Sequence, residues 1–167
     1  ITAAIFNLPP AAANEQQLIA DELKKRNETQ PKGFGAGCFF RNAGKEPAGK
    51  LIDEAGCKGL SAGDATVSGL HANFILNRGH ADEKDIFDLM VLVRKRVAEH
   101  SGIYLRPEVC FASPETLKNF YAAVPAPRLA LPDGSPLRGI LEDIGCECVR
   151  PGETADLTLT AEALPPE

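Results

Sequence analysis

Two short segments, far apart in the sequence, carry side chains that could move a proton. The first reads GCFFRN at residues 37–42, where the thiol of Cys38 follows a glycine-rich approach and precedes two aromatic residues. The second reads RPEV at residues 106–109 and places the carboxylate of Glu108 near the end of an expected strand. A proton donor and a carboxylate supplied by separate elements suit a proton-transfer site. Cys38 could be an acid, a nucleophile or a small buried residue.

The elements that must position these residues follow from apolar periodicity and from capping signals. The long helix is the clearest, because its apolar residues fall on one face, acids cluster in its first turn, and Arg94, Lys95 and Arg96 lie towards its end. The predicted elements are, in order, a strand over residues 1–7, a helix from Asn14 to Arg26, a short helix over 48–55, strands over 65–68 and 73–77, the long helix from about Ala81 to Gly102, and a strand over 103–111.

This order predicts an α+β fold, with a small mixed sheet packed against one long and two or three shorter helices, and a partly irregular C-terminal tail. We expect a domain over residues 1–112 and a tail over 113–167, which could be a linker or the start of another unit. The SPET sequence at residue 113 begins a helix that ends by Val124, and four prolines follow within the next dozen residues. A small unit around residues 137–144 and a strand over 157–160 are possible.

Composition excludes several classes of protein. The formal charge of −5 arises largely from four acidic residues in 151–167, so the rest is nearly neutral and predicts no nucleic-acid surface. No apolar run is long enough to span a membrane, and no signal peptide is visible. The five cysteines are odd in number, and the CEC sequence at 146–148 does not have zinc-site spacing. We therefore expect a reduced, cytoplasmic protein without a metal site, cut from a longer chain.

Four motifs occur in an order and at spacings that are typical of one family. They are GCFFRN at 37–42, AGKLIDEAGCKG at 48–59, HANFILN at 71–77 and LRPEV at 105–109. Together they closely resemble the C-terminal domain of UDP-N-acetylenolpyruvoylglucosamine reductase (UDP-N-acetylmuramate dehydrogenase), an oxidoreductase of peptidoglycan synthesis. The resemblance covers about residues 1–111, and the short connection after Asn42 looks like the compact type of the family.

The resemblance implies a chemistry and a set of site residues. In the family, NADPH reduces a bound FAD, a hydride passes to the enolpyruvyl group of UDP-N-acetylglucosamine enolpyruvate, and a motif serine protonates the adjacent carbon. Cys38 would then be the proton donor and Glu108 the assisting carboxylate. A thiol, with a reference pKa of about 8.5, can fill this role because it is protonated at neutral pH yet more acidic than an alcohol. The sequence departs from the usual pattern at Cys38 and at Ala43, where serine and proline are common.

Five further residues are predicted to contact the substrate. The basic ones could hold its diphosphate, since lysine and arginine are the usual phosphate partners, and the others could donate or accept hydrogen bonds; they are Arg41, Asn42, Lys50, Lys58 and His71. Ordinary roles compete with each assignment. Cys38 could simply pack as a small apolar side chain, Glu108 and the basic residues could be solvated, and Asn42 and His71 could serve turns.

What the motifs lack also bears on function. In the family, FAD is held mainly by N-terminal domains, so we expect this chain to bind FAD weakly or not at all and to be inactive by itself. Two other classes remain open. One is a non-catalytic binding or interaction module on the same fold. The other is a thiol enzyme with Cys38 as nucleophile and His71 as its base.

Overall fold

A computed structural model describes residue 5 and residues 14–158 of the 167-residue chain. The described residues fall into two compact units, divided between Lys32 and Gly33. The predicted strand over residues 1–7 lies outside the described residues apart from Ile5. The helices are α1 (Glu15–Thr29), α2 (Ala48–Glu54), α3 (Glu83–Ser101), α4 (Pro114–Ala123) and α5 (Leu137–Asp143). The strands are β1 (Ser61–Ala62), β2 (Ala65–Val67), β3 (Ile75–Asn77), β4 (Arg128–Ala130), β5 (Glu147–Val149) and β6 (Leu157–Thr158).

The first unit contains α1, which confirms the helix predicted from Asn14. Asn14 precedes the helix, but its side chain makes no capping hydrogen bond. The helix buries none of its residues, and Leu18, Ile19 and Leu23 are each more than half exposed. The apolar spacing therefore predicted the helix correctly, but these apolar side chains do not form a core.

Among the residues that the structure describes, no helix combines the length and the apolar character needed to cross a membrane.

The core of the second unit is built on α3. Asp82 and Asp85 form a reciprocal capping box at its start, and Gly102 ends it in the left-handed conformation with φ 72°. Its buried face packs against the antiparallel sheet β1-β2-β3 and against α2. The strands of this sheet are only two or three residues long, with Thr66 opposite both Ser61 and Leu76. The α+β class is confirmed.

The segment after α3 does not form the predicted strand. Residues 103–111 are irregular, with bends at Glu108 and Val109, and they pair with a neighbouring segment through a single bridge, Phe40 with Pro107. The hydrogen bonds of this bridge are made by Arg106 and Glu108, and Pro107 has no backbone N–H to donate to a further strand on the side that faces away from the GCFFRN motif. The result is an irregular segment that still crosses the GCFFRN motif at one point.

The residues after 112 contain more regular structure than the sequence indicated. Ser113 caps α4 through its hydroxyl oxygen, which accepts the N–H of Thr116 at 3.1 Å, as the SPET sequence predicted. Phe120 of α4 is fully buried in the main core. Beyond it, the three strands β4, β5 and β6 form a small parallel sheet in the order β5-β4-β6, and α5 connects β4 to β5. The strands are thus divided between two sheets.

Candidate functional site

The GCFFRN motif lies as an extended segment between two other parts of the chain. Cys38 bridges Phe74 on one side, and Phe40 bridges Pro107 on the other. Neighbouring side chains of an extended segment point to opposite faces, so Phe39 and Phe40 anchor it on both sides. The aromatic rings of Phe39 and Phe40 are buried, whereas Cys38 is exposed. Two aromatic anchors therefore hold an accessible thiol in place.

Asn73 fixes this segment through hydrogen bonds from inside the protein. Its Oδ1 accepts the backbone N–H of Phe40 at 2.9 Å, and its Nδ2 donates to the carbonyl of the same residue at 2.8 Å. The carbonyl of Asn73 also accepts the N–H of Phe39 at 3.0 Å. Asn73 is only 4% exposed, so water cannot replace these bonds. Its role here is to position the residues on either side of Phe40.

An open groove of about 620 Å³ brings together five of the seven predicted site residues. Its wall contains residues from the GCFFRN motif, from α2 and from the turn before β3. The predicted residues that line it are Cys38, Asn42, Lys50, Lys58 and His71. A volume of this size is typical of a small-molecule site. Residues separated by more than thirty positions in the sequence thus share one surface.

The environment of Cys38 favours the protonated thiol. Although Cys38 is exposed, partial desolvation of its sulfur raises the pKa of the thiol, the negative charge of Glu108 raises it further, and the Asn73 side chain lowers it in part. A thiol with a raised pKa holds its proton at neutral pH, which suits an acid and hinders a thiolate nucleophile. No hydrogen bond joins Cys38 to His71 among the described residues, although both line the groove.

This environment predicts the pH dependence of alkylation at Cys38. Only the thiolate reacts, so in a Cys110→Ser background the iodoacetamide rate should rise with a midpoint at higher pH than for a free model thiol. Replacing Glu108 by Gln removes a negative charge and should shift that midpoint to lower pH. The matched control is Glu115→Gln, an exposed residue in α4. A midpoint at or below that of the free thiol would contradict the assignment.

His71 adopts a defined orientation at the groove. Its Nδ1 accepts the backbone N–H of Asn73 at 3.2 Å, which leaves Nε2 as the protonated nitrogen of a neutral ring. The imidazole packs edge-on against Phe74, with ring centroids 4.8 Å apart. A Cβ added to Gly49 would lie 3.1 Å from Cε1 of His71, so the glycine leaves room for the ring. His71 thus serves a turn and lines the groove at once.

The two lysines of the groove are paired with carboxylates. Nζ of Lys50 lies 3.0 Å from Oε2 of Glu46, and Nζ of Lys58 lies 2.6 Å from Oδ2 of Asp53. All four side chains are at least a third exposed, so each pair contributes little to stability. The positive charge is compensated locally, and a bound diphosphate would have to compete for it.

Arg41 and Glu108 lie outside the groove and pair with each other. Nε of Arg41 is 3.3 Å from Oε2 of Glu108, and both side chains are more than half exposed. Backbone hydrogen bonds hold both residues, from Arg41 N–H to the carbonyl of Arg106 and from Glu108 N–H to the carbonyl of Phe39. From this adjoining surface, the negative charge of Glu108 contributes to the raised pKa of the Cys38 thiol.

Asn42 connects the motif to α2. Its Oδ1 accepts the backbone N–H of Ala48, the first residue of that helix, at 3.0 Å. This bond satisfies one of the donors that a helix start leaves free. Among the described residues its Nδ2 donates no hydrogen bond, so it can donate into the groove. The two roles predicted for Asn42, a turn hydrogen bond and a contact with a ligand, are compatible, because they use different atoms of its side chain.

Sequence reasoning did not identify Asn73 as the residue that fixes the motif. The only indication of this role was the position of Asn73 in the HANFILN motif, directly before an apolar strand. A buried amide can satisfy both polar groups of one backbone residue, but nothing in the sequence shows which residue lies opposite. Within the described part of the chain, no cluster of three or more His, Cys, Asp or Glu side chains could hold a metal ion.

Comparisons with known proteins agree on one family. Residues 30–112 match the family model described as UDP-N-acetylenolpyruvoylglucosamine reductase, C-terminal domain. A protein of that name from Desulfosudis oleivorans is 56% identical over 87 residues, which are 50% of this chain and 28% of that protein. Another from Synechococcus is 46% identical over 112 residues, covering 65% of this chain and 36% of the relative.

A solved structure also matches part of the chain. The reductase of the same name from Thermus caldophilus is 40% identical, with a TM-score of 0.46, over 56% of this chain and 34% of that one. The chain spans about a third of the length of the relatives that it matches.

Fold and site together define a small α+β domain that presents a thiol at the edge of an open groove. Residues 30–112 belong to the family of UDP-N-acetylenolpyruvoylglucosamine reductase C-terminal domains.

Proposed function

We propose that this chain is the substrate-binding part of an oxidoreductase that converts UDP-N-acetylglucosamine enolpyruvate to UDP-N-acetylmuramate for peptidoglycan synthesis. The observation that carries the proposal is the accessible thiol of Cys38, whose pKa its surroundings raise, at the groove that Asn42 and His71 also line. The relatives that share these motifs bear the name of that reductase. Residues 1–112 would form the reductase domain and 113–167 an appended part.

The full-length protein would use FAD and NADPH, and the flavin would supply the hydride. The groove here is open and its two lysines are paired with carboxylates, so the described residues offer no enclosed site for a flavin. N-terminal domains of the same protein would hold the flavin and cover the Cys38 surface. The purified chain should therefore show no flavin absorbance band.

We place the protein in the cytoplasm, where its five free thiols would stay reduced.

Cys38 would supply the proton in this reaction. Its S–H bond breaks as a C–H bond forms at the carbon next to the reduced centre, and the thiolate left behind takes a proton from water. The raised pKa keeps the donor loaded before the reaction. The negative charge of Glu108 disfavours the thiolate and so promotes its reprotonation. The carboxylate of Glu108 would thus assist electrostatically, through its effect on the Cys38 thiolate.

The alternative is a non-catalytic binding module on the same fold. Two observations are compatible with a binding module: Cys38 is exposed, and both lysines of the groove are paired with carboxylates. Neither feature depends on catalysis. The thiol-nucleophile alternative is disfavoured by the raised pKa of Cys38 and by the hydrogen bond that already occupies Nδ1 of His71.

Binding of UDP-N-acetylmuramate to the chain tests the proposed site. We expect saturable binding by calorimetry, weakened about tenfold or more by Asn42→Asp, because a lost hydrogen bond to a charged ligand costs roughly 1.5–3 kcal/mol. The aspartate keeps an oxygen to accept the N–H of Ala48, so α2 should still form. Asn119→Asp, on the exposed surface of α4, is the matched control. Equal affinity of both variants would assign Asn42 a structural role only.

A further inference from the structure

Three arginines from different elements line a second cavity, of about 480 Å³, that is distinct from the groove at Cys38. Arg94 comes from α3, Arg106 from the irregular segment after it, and Arg128 from β4. The remaining wall is mostly apolar or aromatic and includes Tyr121 and Pro125. The appended residues after 112 thus form much of the cavity.

Arg94 is buried without a carboxylate partner. It is 1% exposed, and no ion pair among the described residues includes it. Its Nε donates to the carbonyl of Val124 at 3.1 Å and its Nη1 to that of Leu105 at 2.6 Å. A guanidinium has five N–H groups, so these two bonds leave most of its donor capacity unused. A buried charge is costly unless it is paired.

Aromatic rings surround the same guanidinium and leave its charge in place. The rings of Tyr104, Phe120 and Tyr121 lie 5.7, 5.5 and 5.1 Å from its central carbon. Cation–π contacts of this kind stabilise an arginine, but they do not neutralise it. Arg94 therefore retains a full positive charge beside the cavity.

The charges of the cavity do not balance. Besides the arginines, its only ionised lining residue is Glu147, so the three positive charges face one negative charge. Oε2 of Glu147 lies 3.2 Å from Nε of Arg128. The N–H of this nitrogen is not directed at that oxygen, and Nε is a buried atom without a hydrogen-bond acceptor among the described residues. Arg106 forms no ion pair there. Among the lining residues the surplus is two positive charges; the carboxylate of Asp156, which accepts the backbone N–H of Arg128 at 2.7 Å, lies outside the lining.

We propose that this cavity binds the phosphate group of a small phosphorylated ligand, held by Arg94, Arg106 and Arg128. A phosphate monoester carries close to two negative charges at neutral pH, which matches the surplus. The planar guanidinium fork presents paired N–H donors to phosphate oxygens. The volume and the apolar wall leave room for an organic body next to the phosphate. This site is independent of the reductase function proposed above.

Titration with inorganic phosphate, at ionic strength matched with chloride, tests the proposal on the whole chain. We expect saturable binding by calorimetry and a rise in the melting temperature that chloride does not cause. Arg106→Gln and Arg128→Gln should each weaken binding at least tenfold. Both substitutions change accessible side chains, so these variants should fold even if Arg94→Met does not. Arg78→Gln, an exposed arginine away from the cavity, should leave the affinity unchanged.

The cavity also offers a local readout. Cys146 lines it and is buried, so bound phosphate should slow alkylation of Cys146 several-fold more than that of Cys57, a buried thiol that does not line the cavity. Phosphate that stabilises the wild type and the two arginine variants equally would overturn the proposal, as would a stabilisation that chloride reproduces. Saturable binding of succinate without binding of phosphate would replace the phosphate assignment by a dicarboxylate and would also overturn it.

Discussion

Replacing Cys38 by alanine in the full-length protein is expected to lower turnover of UDP-N-acetylglucosamine enolpyruvate by about 10²–10⁴-fold, the usual contribution of a positioned general acid. The thiol is the proton donor in the proposed reaction, and alanine leaves that proton to water. Because Cys38 is exposed and its neighbours anchor the segment, the substitution should change stability little. The measurement is steady-state NADPH oxidation with saturating substrate.

Two comparisons separate this effect from a packing effect. Cys38→Ser retains an O–H donor of higher pKa and should keep more activity than the alanine variant. Cys110→Ala removes the other exposed thiol and should behave like the wild type. The loss should appear in kcat, with the affinity for UDP-N-acetylmuramate retained. Full turnover by Cys38→Ala would exclude Cys38 as the donor.

Asn73→Ala is expected to reduce the free energy of unfolding by about 2–4 kcal/mol. The substitution leaves the N–H and the carbonyl of Phe40 buried without partners, and each unsatisfied buried group costs roughly 1–3 kcal/mol. The measurement is equilibrium unfolding in urea. Because the Asn73 side chain lowers the pKa of the Cys38 thiol in part, the midpoint of Cys38 alkylation should move to higher pH in this variant.

Asn119→Ala is the matched control for this prediction, since it removes an exposed amide from α4 and should change stability by less than about 0.5 kcal/mol. A water molecule entering the space left by the Asn73 side chain would reduce the loss. A change as small as that of the control would show that the Phe40 backbone groups do not depend on Asn73.

Local signals made the helices predictable. The acids before α3 and the glycine after it define both of its ends, and Ser113 with Pro114 defines the start of α4. These signals act within one or two turns of chain, so they can be read without knowledge of the fold. The predicted strand over 103–111 failed because strand formation depends on a partner, and Pro107 limits the pairing available.

The site was predictable only as a list of residues. The motifs named Cys38 and Glu108, but the sequence did not show that the carboxylate pairs with Arg41 on an adjoining surface. It also could not show that Asp53 and Glu46 compensate the lysines of the groove. Ion pairs depend on where side chains meet in space, and spacing along the chain does not specify that.

The sequence by itself determined the family of residues 30–112, the α+β class and the choice of Cys38 as the candidate site thiol, because these depend on motifs and local periodicity. Only the tertiary structure decided what surrounds that thiol and what becomes of Arg94. The sequence placed Arg94 among the charges near the end of a helix, where solvent would be expected. Residues after 112 cover it instead, with Phe120 and the carbonyl of Val124, because burial depends on which distant segment packs over a position.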